Sequence, residues 1–418
     1  MTRHVRHAIF VIALAGAAWF GSGPALADEA SHWVGTWSAA LHQPNPGPPN
    51  LTNAGFTNLT LRQIVHTSAG GRGVRVRLST FGAGAVVVGA AHLALRAAGA
   101  AIVPGTNRSL TFGGRPSIRI PAGAVVISDP IDLEVPPLAD LAVSIYVPGS
   151  TGPATWHFSA LQTSYLSPPG DFSSAIDMPV NMTTGAWFWL NAVEVWTPKQ
   201  VGAVAAFGDS LTDGIGSTPN QNRRWPDELA KNLLAQYGVQ QTAVLNASIS
   251  GNRLNYDGIG SNALARFDRD VLAQAGVTHV IVLLGNNDIV FGSLFGEVVT
   301  SDDIIQLQRM LIARARTQGL TIVSATLPPF MGFGAVPGTA FPALDAKRRA
   351  VNAWIRSSGE FDAVVDFDAV LRDPSLDGRL LPLYDSGDHL HPNDLGYEAM
   401  GRAIDVTIFK PGLGALLR

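Results

Sequence analysis

Residues 201–214 read Val201-Gly202-Ala203-Val204-Ala205-Ala206-Phe207-Gly208-Asp209-Ser210-Leu211-Thr212-Asp213-Gly214. The run up to Phe207 is apolar without alternation, the pattern of a strand covered on both faces, and it stops abruptly at small and polar residues. The same theme recurs downstream. Strand-like runs at 243–245, 279–284, 321–325 and 363–367 are separated by helical patterns at 226–237, 264–274, 302–316, 344–355 and 393–408. Strands alternating with amphipathic helices predict an α/β fold, a parallel sheet with helices on both faces. Chemistry in such a sheet sits beyond the carboxyl ends of its strands.

Upstream the period changes. Val74-Arg75-Val76-Arg77-Leu78 alternates apolar and basic, Ser117-Ile118-Arg119-Ile120 alternates again, and 85–88 and 141–147 are further short β-type runs. Many short strands bounded by Gly and Pro, with no long helical pattern, predict an all-β sandwich or jelly-roll-like domain. The change falls at Thr197-Pro198-Lys199, which divides the chain into a β domain at 28–197 and an α/β domain at 198–418. Residues 1–27 have a different character: Arg3 and Arg6, an apolar run at 8–20, then Gly21-Ser22-Gly23-Pro24 and Ala25-Leu26-Ala27. This reads as a signal peptide cleaved after Ala27. The apolar run would span only about 20 Å as a helix, short of a ~30 Å hydrocarbon core, so a stable membrane anchor is not expected. An exported protein, periplasmic or secreted, is the expectation.

Composition narrows the chemistry. The chain has 418 residues, 29 basic against 32 acidic for a net charge of −3, and no cysteine. That balance offers no basic field to a nucleic acid. The absence of cysteine excludes a thiol nucleophile, a Cys-ligated zinc site and an iron–sulfur cluster.

Four strand ends carry reactive residue types. Gly208-Asp209-Ser210-Leu211 follows the first strand and would expose Ser210 above the sheet as a nucleophile, although Ser and Asp are equally common as helix caps. Asn246-Ala247-Ser248-Ile249-Ser250-Gly251 follows the second, where a backbone N–H can turn toward an oxyanion. Gly285-Asn286-Asn287-Asp288 follows the third, and an asparagine amide donates without titrating, although the stretch also reads as a turn. Asp388-His389-Leu390-His391-Pro392-Asn393 precedes the last helix and holds a carboxylate three residues from an imidazole, the pair a serine needs to become nucleophilic. His389 competes with His391 for that role.

In order and spacing these four blocks resemble the SGNH hydrolases, also called the GDSL esterase/lipase family, over the C-terminal half of the chain. The resemblance implies a flavodoxin-like sheet carrying Ser210 as nucleophile, His391 as general base and Asp388 as its orienting carboxylate. It implies an oxyanion hole made by the Ser210 and Gly251 N–H groups and the Asn287 side chain. It also favours His391 over His389, because Pro392-Asn393 follows it. The N-terminal half, with Leu110-Thr111-Phe112-Gly113-Gly114 and Ala160-Leu161-Gln162-Thr163, looks like the β domain of exported bacterial members similar to xylanase-associated acetyl esterases. The function implied is a serine esterase acting on short-chain acyl or acetyl esters, on small molecules or carbohydrate, with no cofactor and no metal.

Two other readings compete. A two-metal phosphoesterase has strand-end motifs that Gly208-Asp209, Gly285-Asn286-Asn287-Asp288 and Gly387-Asp388-His389-Leu390-His391 imitate. However, no Asp in the chain has His two residues later, and Asn287 stands where a ligand histidine would be needed. A non-catalytic carbohydrate-binding envelope protein would use its tryptophans, Trp33, Trp37, Trp156, Trp187, Trp189 and Trp196, to stack on sugar rings, but core packing is the commoner use of such residues. A phosphate-bearing flavin is disfavoured by Asp209 and Asp213 after the first strand. His32, His42, His66, His92 and His157 show no ligand spacing and read as structural. The loops at 252–263 and 331–342 are candidates for shaping the acyl pocket, and residues 327–342 are a candidate lid.

Overall fold

The computed structural model describes residues 31–44, 51–238 and 242–410. The expected signal segment 1–27 lies outside the described residues. Five parallel strands form the sheet of the C-terminal half: Ala203–Gly208, Ala243–Asn246, Val277–Leu283, Thr321–Ala325 and Ala363–Val365. They lie in the spatial order second, first, third, fourth, fifth. This is the flavodoxin-like order, whose switch point falls between the first and third strands. Every residue of the first strand is buried. Covering helices on both faces account for the unbroken apolar run that predicts the strand.

Helices Trp225–Tyr237, Ser301–Thr317, Phe341–Ser357 and Asp394–Ala403 occupy the expected places. Where 264–274 is expected to be one helix, an α-helix at Ala263–Phe267 passes into a π-helical turn at Asp268–Leu272. Two helices read as turns in the sequence, Ser210–Asp213 and Asn286–Leu294. Each starts two or three residues past a strand end, so their first residues stand at the switch point. In the segment at 327–342, Phe330 and Val336 are buried in the α/β core, and Met331 N–H donates to Gly378 O.

The N-terminal half is a sandwich of two antiparallel sheets. Ser31–Ser38, Leu190–Pro198, Gly71–Ser79 and Ile131–Val135 form one, with Val125–Ile127 on its edge; Leu59–His66, Asp140–Val147, Ala90–Ala98 and Ser164–Pro169 dominate the other. Val74, Val76 and Leu78 point inward to meet Leu61, Val65, Val143 and Ile145 in a shared core. The alternating Arg75 and Arg77 point outward, where Arg75 pairs with the buried Glu194 at 2.6 Å and Arg77 donates to Ala273 O of the α/β half. The two halves are not separated by a clean boundary. Val34 and Ala69 belong to the α/β core, and Gly35 N–H donates to Ala275 O at 2.9 Å. A Cβ on Gly35 would stand 3.0 Å from Leu245, so the strand lies tightly against the α/β half.

Candidate active site

Gly208 ends the first strand, and a Cβ there would overlap the Thr212 hydroxyl at 2.0 Å. Glycine therefore lets the chain turn straight into a helical turn whose first residue is Ser210. Asp209 caps that turn, accepting from Leu211 N–H at 3.0 Å. Ser210 N–H, in the first turn, has no earlier helical carbonyl to bond.

The loop 385–392 comes back over this turn. His391 Nε2 lies 2.8 Å from Ser210 Oγ, and His391 Nδ1 lies 2.5 Å from Asp388 Oδ2. Asp388 accepts only, so Nδ1 carries the proton, and Nε2 is left to receive the serine hydroxyl. The Asp388 Oδ1 atom accepts the N–H groups of Leu390 and His391 at 2.9 and 2.8 Å. Burial alone would push the Asp388 carboxyl up, but these bonds and the imidazole hold it well below the usual carboxylate range. His389 takes a left-handed backbone (φ +66°) and turns to Asp385 at 2.6 Å, away from Ser210. The geometry thus separates the two histidines of the motif.

The second and third blocks converge on the same place. Ile249 N–H donates to Gly208 O at 3.2 Å, tying the 246–251 loop to the end of the first strand. Gly251 has φ +77°, and its N–H meets no acceptor among the described residues. Asn287, on the first turn of its helix, is buried, and its amide donates to Asp209 Oδ2 and to Asn252 O, both at 3.1 Å. The amide therefore bridges the residue before Ser210 and the residue after Gly251. Burial pushes the Asp209 carboxyl up to about 7, aided by the negative Asp288 and Asp213 and opposed by Leu211 N–H and Arg266. Burial likewise raises Asp288 to about 6, although it accepts from Leu254 and Asn255 N–H.

Sequence reading misses two organisers. The buried Arg266 guanidinium donates to Gly208 O, Ala247 O and Asn252 Oδ1 at 2.9, 2.6 and 2.8 Å, and so joins the first two blocks. Its signal is a basic residue on a helix face otherwise made of Ala263, Phe267 and Val271. His157 of the β half reads as structural, but its Nε2 stands 3.0 Å from Asp213 Oδ1, at the end of the turn Ser210–Asp213. No local pattern marks that contact, because its partners are far apart in sequence. Among the described residues no group of three or more His, Asp or Glu side chains is arranged to hold a metal ion.

A cavity of about 310 Å³ is lined by Trp156, Phe158, His42 and Pro44 of the β half and by Gly258–Gly260. Ile259 packs on Gly251, so the cavity adjoins the Gly251 loop. Of the tryptophans considered as sugar platforms, Trp37, Trp187 and Trp189 are buried, and Trp33 and Trp196 pack on each other. Trp156 alone among them lines this cavity.

Residues 206–399 match the model of the GDSL-like Lipase/Acylhydrolase family. No curated protein matches the chain. Similar solved structures include a GDSL-like lipase from Bacteroides thetaiotaomicron (17% identity, 49% of this chain and 87% of that one, TM-score 0.37). Others are a carbohydrate acetylesterase family member from Sinorhizobium meliloti (18%, 50% and 97%, 0.40) and an aryl esterase from M. smegmatis (19%, 49% and 96%, 0.39).

Proposed function

Starting from a chain that carries a GDSL-like lipase/acylhydrolase domain at residues 206–399 and is a carboxylic ester hydrolase, we propose that it is an exported serine esterase. Its catalytic residues are Ser210, His391 and Asp388, and its substrates are short-chain acyl or acetyl esters of small or carbohydrate-linked alcohols. The observation that carries the reading is the unbroken path from Ser210 Oγ to His391 Nε2 at 2.8 Å and from Nδ1 to Asp388 at 2.5 Å.

Ser210 Oγ attacks the ester carbonyl carbon as its proton passes to His391 Nε2. The carbonyl oxygen becomes an anion, which the N–H groups of Ser210 and Gly251 and the Asn287 amide receive. Collapse of the tetrahedral species breaks the bond to the alcohol oxygen, which takes the proton from His391 and leaves. The acyl group remains on Ser210. Water then attacks it with His391 as base, and the carboxylic acid is released. Asp388, held ionised, fixes the imidazole tautomer and stabilises its cation during each transfer. All the steps use groups of this chain.

The cavity beside Gly251 supports an alcohol with a flat apolar face, stacked on Trp156, as one side of the ester. The apolar run at 8–20 and the small residues before Asp28 support export.

Hydrolysis of p-nitrophenyl acetate, butyrate and octanoate by wild type and Ser210→Ala, with and without EDTA, tests the reading. Activity lost in the variant and kept in EDTA is expected, with short chains preferred. Activity that survives Ser210→Ala and is lost in EDTA overturns it. Secretion from an expressing cell with Asp28 as the new N-terminus tests export.

A further inference from the structure

We propose that His157, in the N-terminal β half, is a positioning residue for ester hydrolysis: paired as an imidazolium with Asp213, it holds the nucleophile turn and the Gly251 loop in register. The inference rests on the serine-esterase reading and adds to it a residue outside the matched family segment.

His157 sits on the short strand Trp156–His157, between the two aromatic residues of the cavity wall. Its ring is buried, with Nδ1 2.8 Å from Ala40 O and Nε2 3.0 Å from Asp213 Oδ1. Neither oxygen carries a hydrogen, so each ring nitrogen must supply one, and the ring is a cation. Burial by itself would lower the imidazole's affinity for a proton, but Asp213 and the Ala40 carbonyl more than offset it.

Asp213 carries the effect to the site. It closes the turn Ser210–Asp213, and its Oδ2 accepts Ser250 N–H at 3.0 Å and Ser250 Oγ–H at 2.6 Å. Ser250 precedes Gly251. One carboxylate therefore fixes the spacing between the turn that carries Ser210 and the loop that offers the Gly251 N–H. Arg224 adds a second tie of the same kind, donating from Nε to Asp213 O at 2.9 Å and from Nη2 to Ala160 O of the β half.

The charges facing the pair are few. Arg224 is directed at the Asp213 backbone, and the ring of His42, 5.6 Å from that of His157, is kept neutral by burial, which lowers it to about 3. Arg266 is occupied by the first two blocks, and Asp209 is itself a buried carboxyl pushed up to about 7. His157 is thus the cation that compensates Asp213. Without it, an unpaired buried anion remains beside Asp209, and the turn and loop must shift to admit water. Apolar residues would join the two halves of the molecule at lower desolvation cost. An ion pair aimed at Ser250 adds a fixed position.

The test compares wild type, His157→Gln, Asp213→Asn and the double variant. It uses p-nitrophenyl acetate kinetics from pH 5 to 10 and titration of reactive serine with a fluorophosphonate. In His157→Gln the new amide can donate to Asp213 but carries no charge and does not titrate. Expected is a kcat loss of about 10- to 100-fold with KM changed less than about threefold and the titratable serine still present. Wild type should lose activity on the alkaline side as His157 gives up its proton, and His157→Gln should lack that limb. The double variant should be no worse than the poorer single one. A folded His157→Gln with kcat within about twofold of wild type and the same alkaline limb overturns the proposal. If the variant does not fold, imidazole ¹⁵N shifts of the wild type at pH 7 decide: both nitrogens protonated supports it, a neutral tautomer overturns it. A wild type that neither hydrolyses the ester nor reacts with fluorophosphonate removes the serine-esterase reading itself, with which this role falls.

Discussion

Both N–H bonds of the Asn287 amide are directed at protein oxygens, Asp209 Oδ2 and Asn252 O. A developing oxyanion has to draw one of them away, which a full negative charge does better than a neutral ester carbonyl. As a donor in the proposed oxyanion hole, Asn287 would favour the transition state over bound substrate. Asn287→Ala is expected to lower kcat by about 10²- to 10³-fold with little change in KM, measured by steady-state kinetics. Asp209→Asn probes the same amide from the other side. Asn can offer one oxygen, whereas Asp209 serves Leu211 N–H with one and Asn287 with the other. One of the two bonds becomes donor against donor. We expect kcat to fall at least about tenfold while stability at pH 8 changes by no more than about 1 kcal/mol, because replacing a buried carboxyl that resists ionisation relieves a desolvation cost. The four blocks were legible in sequence because their residue types are rare in combination. The bond from Asn287 to Asp209 was not, since a block motif says nothing of which lone pair an amide meets. His157 was invisible for a different reason: its meaning lies entirely in Asp213, 56 residues away.

At the scale of the element, the loop 246–251 depends on Gly251 holding φ +77°. A Cβ there costs about 1 kcal/mol in backbone strain and would stand 2.6 Å from Ile259 Cδ1. Ile259 can swing away, being partly exposed, but the backbone cannot relax without moving the N–H. Gly251→Ala should therefore lower kcat about tenfold or more for a stability loss of only about 1 kcal/mol, read by kinetics alongside urea denaturation. Elements were legible in proportion to how locally they are determined. The strand Thr321–Ala325 coincides with its expected range, because a buried parallel strand between helices has a clear apolar signature. Ala90–Ala98 has no such signature. Its Ala, Leu and Arg are good helix formers, and it is a strand because Asp140–Val147 pairs with residues 90–95 and the short strand Ala101–Ile102 with the rest. The helix Asn286–Leu294 hides behind Gly285-Asn286-Asn287-Asp288, which has the composition of a turn.

Across the whole molecule, Val34 and Ala69 in the α/β core and the His157–Asp213 pair tie the β half to the α/β half. A single urea transition, coincident by tryptophan fluorescence and by activity, is expected. Its pH dependence follows from buried groups of opposite kind. Asp209 and Asp288, raised by burial to about 7 and about 6, keep their protons in the folded state after the unfolded chain has lost them. The stability they contribute is present below the unfolded carboxylate range and is lost as pH rises through 6 to 7. His42 and His279, lowered mainly by burial to about 3 and about 4, act in reverse. Between those values and the ordinary imidazole range the unfolded chain binds more protons, so they make stability rise with pH. From about pH 5 to 6 the uptake by the two carboxyls opposes the release by the two imidazoles, to which His92, also lowered by burial, adds in the same sense, and the profile should form a shallow plateau. Above it, stability should fall as Asp209 ionises and His157 loses its proton. His279 bonds to the neighbouring Thr278 hydroxyl and the Ile408 backbone and packs edge-on against Phe409, so His279→Gln removes one release without disturbing the site. The plateau should then tilt, the variant losing about 1.4 kcal/mol relative to wild type for each pH unit between about 5 and 6. Parallel wild-type and variant profiles by urea denaturation would mean that His279 is protonated alike in both states, and that the plateau has another origin.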